Sequence, residues 1–181
     1  MSIEYAILGL LSWKPFSGYD LKKVIAESEV YYWSGNNNQI YNSLVALHKA
    51  GLVTQEVQVQ ESLPARKVYT VTEQGRAALR DWVRSAPALP EFRSTFLVQL
   101  AWADALDGDE LDALLAQYEE EVAVQVRMQA VRAGSEPEAP NRTPRERYLW
   151  QQITANRADA YQHELEWVRR LRAGLREKFA S

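Results

Sequence analysis

The hydrophobic positions of the chain follow a helical period, then an alternating period, and then a helical period again. Segments 2–13, 15–28 and 36–50 each carry apolar residues three and four positions apart, which predicts three amphipathic helices. Segments 52–60 and 67–72 instead alternate apolar and polar residues, which predicts two strands. The first half of the chain is therefore predicted to contain three helices followed by a hairpin.

Local polar residues mark the ends of the predicted helices. Ser17, with Asp20 three residues later, has the pattern of a capping box at the start of the second helix. Asn36, with Gln39 three residues later, has the same pattern at the start of the third helix. Gly51 follows the apolar stripe of that helix and is expected at the left-handed position that ends it. These signals agree with the helical period.

A fourth helix, predicted to begin after Thr72, completes a known order of elements. Three helices, a hairpin and a fourth helix within residues 1–86 are the order of a winged helix-turn-helix, whose third helix enters the DNA major groove. If Ile40, Leu44 and Leu47 face the core, polar residues of the first two turns face outward. The candidate base-reading residues of that outer face are Asn38, Gln39, Asn42 and Ser43.

The predicted outer face of the third helix is rich in amides and poor in charge. Asn and Gln can pair with the edge of adenine through two hydrogen bonds, and Ser can bind either partner, so these side chains suit base recognition. The same residue types also serve as caps or as solvated surface, which is the alternative role of each one. Cations for the DNA phosphates must then come mainly from the second helix and from the hairpin, or wing.

The second half of the chain, residues 87–181, differs from the first in pattern and in charge. Residues 1–85 contain 9 basic and 8 acidic residues, whereas residues 86–181 contain 12 and 16, and Pro87 and Pro90 separate the two halves. Apolar residues recur at near-heptad spacing along three predicted helices. Such long helices cannot all bury their stripes against the winged domain, so we predict a helical domain that forms a twofold homodimer. The alternative is a three-helix bundle within one chain.

The first half of the chain resembles the PadR family of bacterial transcriptional regulators. The resemblance covers essentially all of residues 3–85 and lies in "ILGLLSWKPFSGYDLKKVI", "NNNQIYNSLVALHKAGLV" and "RKVYTVTEQGRAALRDW". Gly18-Tyr19 matches the family's Gly-Tyr at the start of helix two, and Tyr41 matches the Tyr of its recognition helix. The resemblance implies a sequence-specific transcriptional regulator of double-stranded DNA, commonly a repressor, that acts as a homodimer on a palindromic operator.

The resemblance also implies roles for two tyrosines. Tyr19 and Tyr41 would contact DNA phosphates, although each ring has the alternative role of a partly buried core edge. Ser17 and Asn42 stand where the family often has His and Pro, so the operator sequence is not carried over from relatives. With the basic residues of helix two, helix three and the wing, the candidate phosphate-binding residues are Ser17, Tyr19, Lys22, Tyr41, Lys49, Arg66 and Lys67.

Aromatic residues of the second half suggest a ligand. Some PadR relatives bind flat aromatic molecules between the winged domains and the dimer helices. By that resemblance Phe96, Trp102 and Trp150 are candidates for the site of a small aromatic effector. Core packing is the alternative role of each ring.

The remaining inventory argues against other classes of function. The chain has no Cys and 2 His, no nucleophile elbow and no Gly-rich phosphate loop, so neither an enzyme nor a bound metal or cofactor is expected. No apolar stretch reaches the ~18 residues of a membrane span, so no membrane contact is expected and the protein is expected in the cytoplasm. The main alternative to a DNA-binding regulator is a winged helix that binds a protein instead.

Overall fold

The computed structural model describes residues 3–27, 38–60, 63–90, 94–132 and 143–179. Within those ranges the elements follow in the order α1 (Ile3–Trp13), β1 (Phe16–Ser17), α2 (Gly18–Glu27), α3 (Asn38–Lys49), β2 (Val53–Gln60), β3 (Leu63–Val71), α4 (Glu73–Arg84), α5 (Thr95–Ala101), a 3₁₀ turn (Ala103–Ala105), α6 (Gly108–Arg132) and α7 (Pro144–Phe179). The predicted fold class, a winged helix-turn-helix followed by long helices, is confirmed.

The chain divides into two compact units, residues 1–88 and 89–181, which we call unit 1 and unit 2. The predicted cap of the third helix, Asn36, lies outside the described residues. Across the ranges that the structure describes, no helix is both long enough and apolar enough to cross a membrane.

The core of unit 1 lies where α1, α3 and the sheet meet. Ile7 and Leu10 from α1 are fully buried, and Leu44 from α3 packs in the same cluster. From the sheet, Val53 and Tyr69 complete that cluster. These residues lie at the apolar positions of the helical and alternating periods, so the periodicity of the sequence accounts for the core.

The sheet contains a third strand that the sequence pattern did not predict. β1 pairs antiparallel with β3, which also pairs with β2, so the strand order is β1-β3-β2. Phe16 lies opposite Tyr69, and Ser17 lies opposite Val68. A strand of two residues is too short to show alternation. β3 also begins at Leu63 rather than at residue 67, so this strand is longer, and the turn of the wing shorter, than predicted.

A junction of close backbone contacts joins the end of α3 to the start of α4. Gly51 has φ 71°, and Leu52 N donates to Leu47 O at 2.9 Å, so Gly51 ends α3 in the left-handed conformation as predicted. Thr72 caps α4, because its Oγ1 accepts from Gly75 N at 3.0 Å and donates to Gly51 O at 2.8 Å. A Cβ atom on Gly75 would lie 2.1 Å from Leu52 O. Position 75 therefore has no room for a side chain.

Unit 2 has one core shared by α5, α6 and α7. Phe96 from α5, Leu115 from α6 and Val168 from α7 are buried in it. α6 and α7 run antiparallel, because Asp112 near the start of α6 pairs with Arg176 near the end of α7. Part of the long apolar stripes is thus buried within a single chain, as the three-helix alternative required, and part remains exposed.

Candidate nucleic-acid interface

The inner face of α3 includes Ser43, which was predicted to face outward. Ser43 is 8% exposed and lies among the buried residues Ile40, Leu44 and Leu47. Positions 40, 43, 44 and 47 have the i, i+3, i+4, i+7 spacing of a single helix face, so Ser43 belongs to the core stripe. The prediction that Ser43 reads bases was wrong, because its side chain does not reach the surface.

The outer face of α3 presents amides, a cation and one aliphatic side chain. Asn38, Asn42, Val45 and Lys49 are exposed and follow one another at helical spacing, opposite the core stripe. Gln39 is exposed at the flank. Val45, which is 49% exposed, was missed as a member of this face although its spacing from Asn42 is a sequence signal. Base reading by the three amides stays a prediction.

Of the two candidate tyrosines, Tyr19 lies in the first turn of α2, and Tyr41 of α3 lies against Gly18 of α2. Both rings are exposed, Tyr19 more than Tyr41. A Cβ atom on Gly18 would approach Cε1 of Tyr41 to 2.7 Å and Cδ1 of Leu44 to 3.4 Å. Glycine at position 18 therefore leaves the space into which the Tyr41 ring packs. This role of Gly18 requires the packing of two helices and was not predicted.

The helix cap at the start of α2 uses the side chain of Ser17. Asp20 N donates to Ser17 Oγ at 3.2 Å, while Ser17 Oγ and Ser17 N donate to Asp20 Oδ2 at 2.9 and 3.3 Å. The predicted capping box is thus confirmed. Ser17 is 2% exposed because β1 pairs with β3 at this residue. The prediction that Ser17 binds a phosphate was wrong, since its hydroxyl is buried and already bonded.

The cationic candidates are distributed around α2, α3 and the wing. Lys22 is partly exposed, and Lys49, Arg66 and Lys67 are exposed. Arg66 and Lys67 are neighbours in β3, so their side chains leave opposite faces of the strand, with Lys67 on the face that carries Tyr69. They therefore cannot approach one phosphate from the same face of the wing. Phosphate binding by these residues stays a prediction.

Arg66 already has an anionic partner in unit 1. Its Nη2 contacts Oδ2 of Asp20 at the start of α2, and the two side chains are 42% and 33% exposed. The pattern of Ser17 and Asp20 in the sequence predicts only the role of Asp20 in the helix cap. The ion pair depends on the pairing of β1 with β3, which was not predicted.

Two of the three aromatic candidates for an effector site, Phe96 and Trp150, lie far apart within one chain. Phe96 stacks on Tyr118 at 3.5 Å between ring centroids and meets Trp167 edge-on at 6.2 Å. At about 1.5 Å per residue along α7, Trp150 lies about 25 Å from Trp167, so Phe96 and Trp150 of one chain cannot line the same small pocket. Trp102 is 77% exposed. Phe96 has the core role that was its alternative.

Ionisable groups join α6 to α7 across unit 2. Hydrogen bonds from Arg172 and Arg176 lower the pKa of Asp112, and hydrogen bonds from Arg172 and Arg169 lower the pKa of Glu119. Burial and a hydrogen bond to Glu164, donated by the hydroxyl at 2.7 Å, raise the pKa of Tyr118 well above its usual range. These contacts stabilise the helix pair.

Comparisons with known proteins agree with this architecture. Residues 7–81 match the transcriptional regulator PadR-like family. Over 113 residues the chain is 32% identical to the negative transcriptional regulator PadR of Bacillus subtilis, and the match spans 62% of this chain and 62% of that relative. The chain thus matches less than two thirds of the length of this curated relative.

Solved structures of B. subtilis PadR have a similar fold. The structure in complex with operator DNA has a TM-score of 0.84 at 22% sequence identity, covering 96% of this chain and 98% of that chain. The structure in complex with p-coumaric acid has a TM-score of 0.75 at 23% identity, with the same coverage. At these identities the likeness shows only a shared fold, and the matched residues include both units.

Proposed function

We propose that the chain is a member of the PadR-like family of transcriptional regulators, whose family model matches residues 7–81, and that it is a sequence-specific DNA-binding repressor. Members of the family are transcriptional regulators and not enzymes. The observation that carries the proposal is the exposed outer face of α3, where Asn38, Asn42 and Lys49 lie in one line. In a winged helix-turn-helix that face enters the major groove.

Base recognition is assigned to the amides of α3. Asn38, Gln39 and Asn42 are exposed in the first two turns of the helix, where recognition helices contact base edges. Each amide can donate to N7 or accept from N6 of adenine, so an operator with A·T pairs suits this face. Lys49, in the last turn, has the charge for a backbone phosphate.

A homodimer is proposed from the exposed apolar residues at the start of α7. Extending the antiparallel pairing of Glu119 with Arg169 places the end of α6 opposite about residue 155 of α7. The first residues of α7 therefore continue beyond α6. Leu149 and Ile153 are exposed there at i, i+4 spacing. We propose that a second copy of the chain covers this surface.

Twofold symmetry then determines the form of the operator. Two recognition helices related by a twofold axis bind two half-sites about 34 Å apart, so the operator is palindromic. The balanced charge of residues 1–85 limits the phosphate contacts of one unit 1, and a dimer doubles them. Binding of such a dimer to a promoter represses transcription by occupying the site.

A small aromatic effector is proposed to release the DNA. The fold of the chain is similar to that of B. subtilis PadR in complex with p-coumaric acid, and Trp102 offers an exposed ring in unit 2. Addition of p-coumaric acid is expected to quench tryptophan fluorescence and to weaken DNA binding. Loss of the quenching in Trp102→Leu would assign the contact to this ring.

Selection of duplexes from a genomic library with the full chain tests DNA binding. The selected duplexes are then titrated with variants at several salt concentrations. Asn42→Ala is expected to change the preferred sequence, costing about 1 to 3 kcal/mol at an adenine that it reads. Lys49→Ala is expected to weaken binding to all sequences alike. It should also reduce the slope of log affinity against log salt concentration by about the contribution of one phosphate contact.

Gln151→Ala, an exposed amide change in unit 2, is the matched control and is expected to leave DNA binding unchanged. If the wild-type chain selects no duplex and shows no salt-dependent binding, the repressor proposal is wrong. The winged helix would then be a protein-binding module.

A further inference from the structure

Asp20 Oδ2 is the meeting point of three donors from two elements. Ser17 N and Ser17 Oγ donate to it from the helix cap, and Arg66 Nη2 contacts it from the wing. Arg66 is also a cationic candidate for DNA phosphate binding. The carboxylate of Asp20, which completes the cap of α2, therefore also forms an ion pair with Arg66 of the wing.

The register of the sheet explains why these two side chains meet. β1 and β3 are antiparallel, and Ser17 lies opposite Val68. Residues just after Ser17 are consequently brought beside residues just before Val68, which are Asp20 and Arg66 respectively. The ion pair is thus a consequence of the fold and not a chance encounter of two long surface side chains.

A carboxylate and a phosphate diester offer an arginine the same kind of partner. Each presents two anionic or partly anionic oxygens that accept from the planar guanidinium fork. Both Asp20 and Arg66 are partly exposed, so water screens the pair and its contribution to stability is small. A DNA phosphate can therefore replace the carboxylate at little cost to the fold.

We propose that Asp20 is an intramolecular substitute for a DNA phosphate: it holds Arg66 in the free protein and is displaced when the wing meets the DNA backbone. The inference rests on the proposed DNA-binding function and adds the regulation of its wing contact. Because a phosphate contact carries no sequence information, Asp20 lowers the affinity for all duplexes alike. It limits the fraction of the protein that is held at nonspecific sites.

Removal of the charge tests the proposal. Asp20→Asn keeps the size of the side chain and an oxygen that can accept from Ser17. This change is expected to raise affinity for specific and random duplexes by about fivefold, which corresponds to one exposed ion pair. Asp20→Gln also removes the charge, and glutamine is a residue that capping boxes use at this position. It is therefore expected to change affinity in the same direction as Asp20→Asn.

The dependence on Arg66 distinguishes displacement from a general charge effect. In an Arg66→Ala background, Asp20→Asn is expected to lose most of its gain, because no guanidinium remains to be released. Glu56→Gln is the matched control. It removes one negative charge from β2, at the residue opposite Val68, and its small effect is expected to be the same with and without Arg66.

Two results would overturn the inference while leaving the repressor proposal standing. If Asp20→Asn and Asp20→Gln weaken binding although thermal melting shows a folded protein, Asp20 orients Arg66 for DNA. If their gain persists unchanged in the Arg66→Ala background, Asp20 acts only as a nearby charge. Absence of salt-dependent binding by the wild-type chain is a different outcome, because it removes the proposed function itself.

Discussion

Unit 1 and unit 2 differ in where their helices find apolar partners. In unit 1 the stripe of α1 is buried against α3 and the sheet, and Leu79 of α4 packs against the same cluster. In unit 2 the second half of α7 packs on α6, but Leu149 and Ile153 at its start stay exposed. The core of the first unit is thus closed within one chain, whereas the second leaves part of the stripe of its longest helix exposed, and this is the surface proposed for a second copy.

The difference shows what amphipathic periodicity can and cannot determine. A helical stripe predicts that one face is covered but does not say which element, or which chain, covers it. In unit 1 the positions of the hairpin and of the helix caps leave only one way to cover the apolar stripe of α1. In unit 2 the same kind of stripe is compatible with burial in one chain and with a dimer, and the structure has both a core within one chain and exposed apolar residues.

The largest expected effect comes from a methyl group at position 75. In Gly75→Ala the new Cβ would meet Leu52 O, which belongs to the backbone and cannot move without breaking the junction of α3 with α4. We expect unit 1 to lose at least about 3 kcal/mol of stability. Urea unfolding followed by hydrogen exchange should place the loss in residues 3–84 and leave α6 and α7 protected.

Gly9→Ala is the matched control for this change. A Cβ atom on Gly9 in α1 would have no atom within 4 Å beyond its chain neighbours and the backbone of its own helix, so alanine is expected to stabilise the helix by up to about 1 kcal/mol. Equal destabilisation by the two variants would contradict the steric role of Leu52 O at position 75. Loss of protection in both units after Gly75→Ala would mean that the units do not fold independently.

Local signals in the sequence predicted unit 1 well. The capping box of Ser17 with Asp20, the cap Thr72 and the left-handed Gly51 were all identified, because each interaction spans only a few residues. The inward position of Ser43 was missed although its spacing is a local signal too, because a hydroxyl was taken as a mark of the outer face.

Long-range contacts account for what could not be predicted. The two-residue strand β1 exists only because Phe16 meets Tyr69, and the pair of Asp20 with Arg66 follows from that register. Likewise, the need for glycine at position 18 appears only when α3 packs on α2. In each of these cases the partner residue is distant in the sequence.

The next largest effect is expected at the exposed surface at the start of α7. Leu149→Glu combined with Ile153→Glu places charge on the face that we assign to a second copy, where about 2 to 3 kcal/mol of burial per dimer would be lost, because these side chains are already about half covered within one chain. Sedimentation equilibrium should show association weakened roughly 30- to 150-fold, with the fold retained in circular dichroism.

Gln151→Glu is the control because residue 151 lies on the opposite side of α7 and is exposed. It adds charge without touching the proposed interface and is expected to leave the oligomeric state unchanged. A wild-type chain that sediments only as a monomer at micromolar concentration would remove the dimer, and unit 2 would then resemble unit 1 in being complete by itself.

A smaller effect is expected from a hydroxyl inside unit 2. Tyr118→Phe removes the hydrogen bond to Glu164 but keeps the ring that stacks on Phe96, so the expected loss is about 1 kcal/mol. The pKa of Tyr118 is raised, so its contribution is full below the ordinary tyrosine value of 10.0 and declines as the pH rises further.

Alkaline titration of tyrosine absorbance measures this directly. The variant should lack the last tyrosine to ionise in the folded wild-type protein. If Tyr118→Phe leaves both stability and the late ionisation unchanged, the hydrogen bond between Tyr118 and Glu164 contributes nothing, and the helix pair is held by its apolar stripe and by the ion pairs of Asp112 and Glu119.

The smallest expected effect is the acid dependence of unit 2. The pKa of Asp112 and the pKa of Glu119 are lowered by their hydrogen bonds with Arg172, from ordinary values of 3.8 and 4.5. A carboxyl group with a lowered folded pKa contributes its full stability above the unfolded value and loses it as the pH falls further. The melting temperature should therefore decline by a few degrees between about pH 5 and pH 3.

Asp112→Asn should flatten this decline, whereas Asp109→Asn, in the first turn of the same helix, should not. Because the ion pairs join α6 to α7 only, hydrogen exchange at low pH should rise in unit 2 before unit 1, and the reverse order would show that the carboxylate pairs do not distinguish the two units.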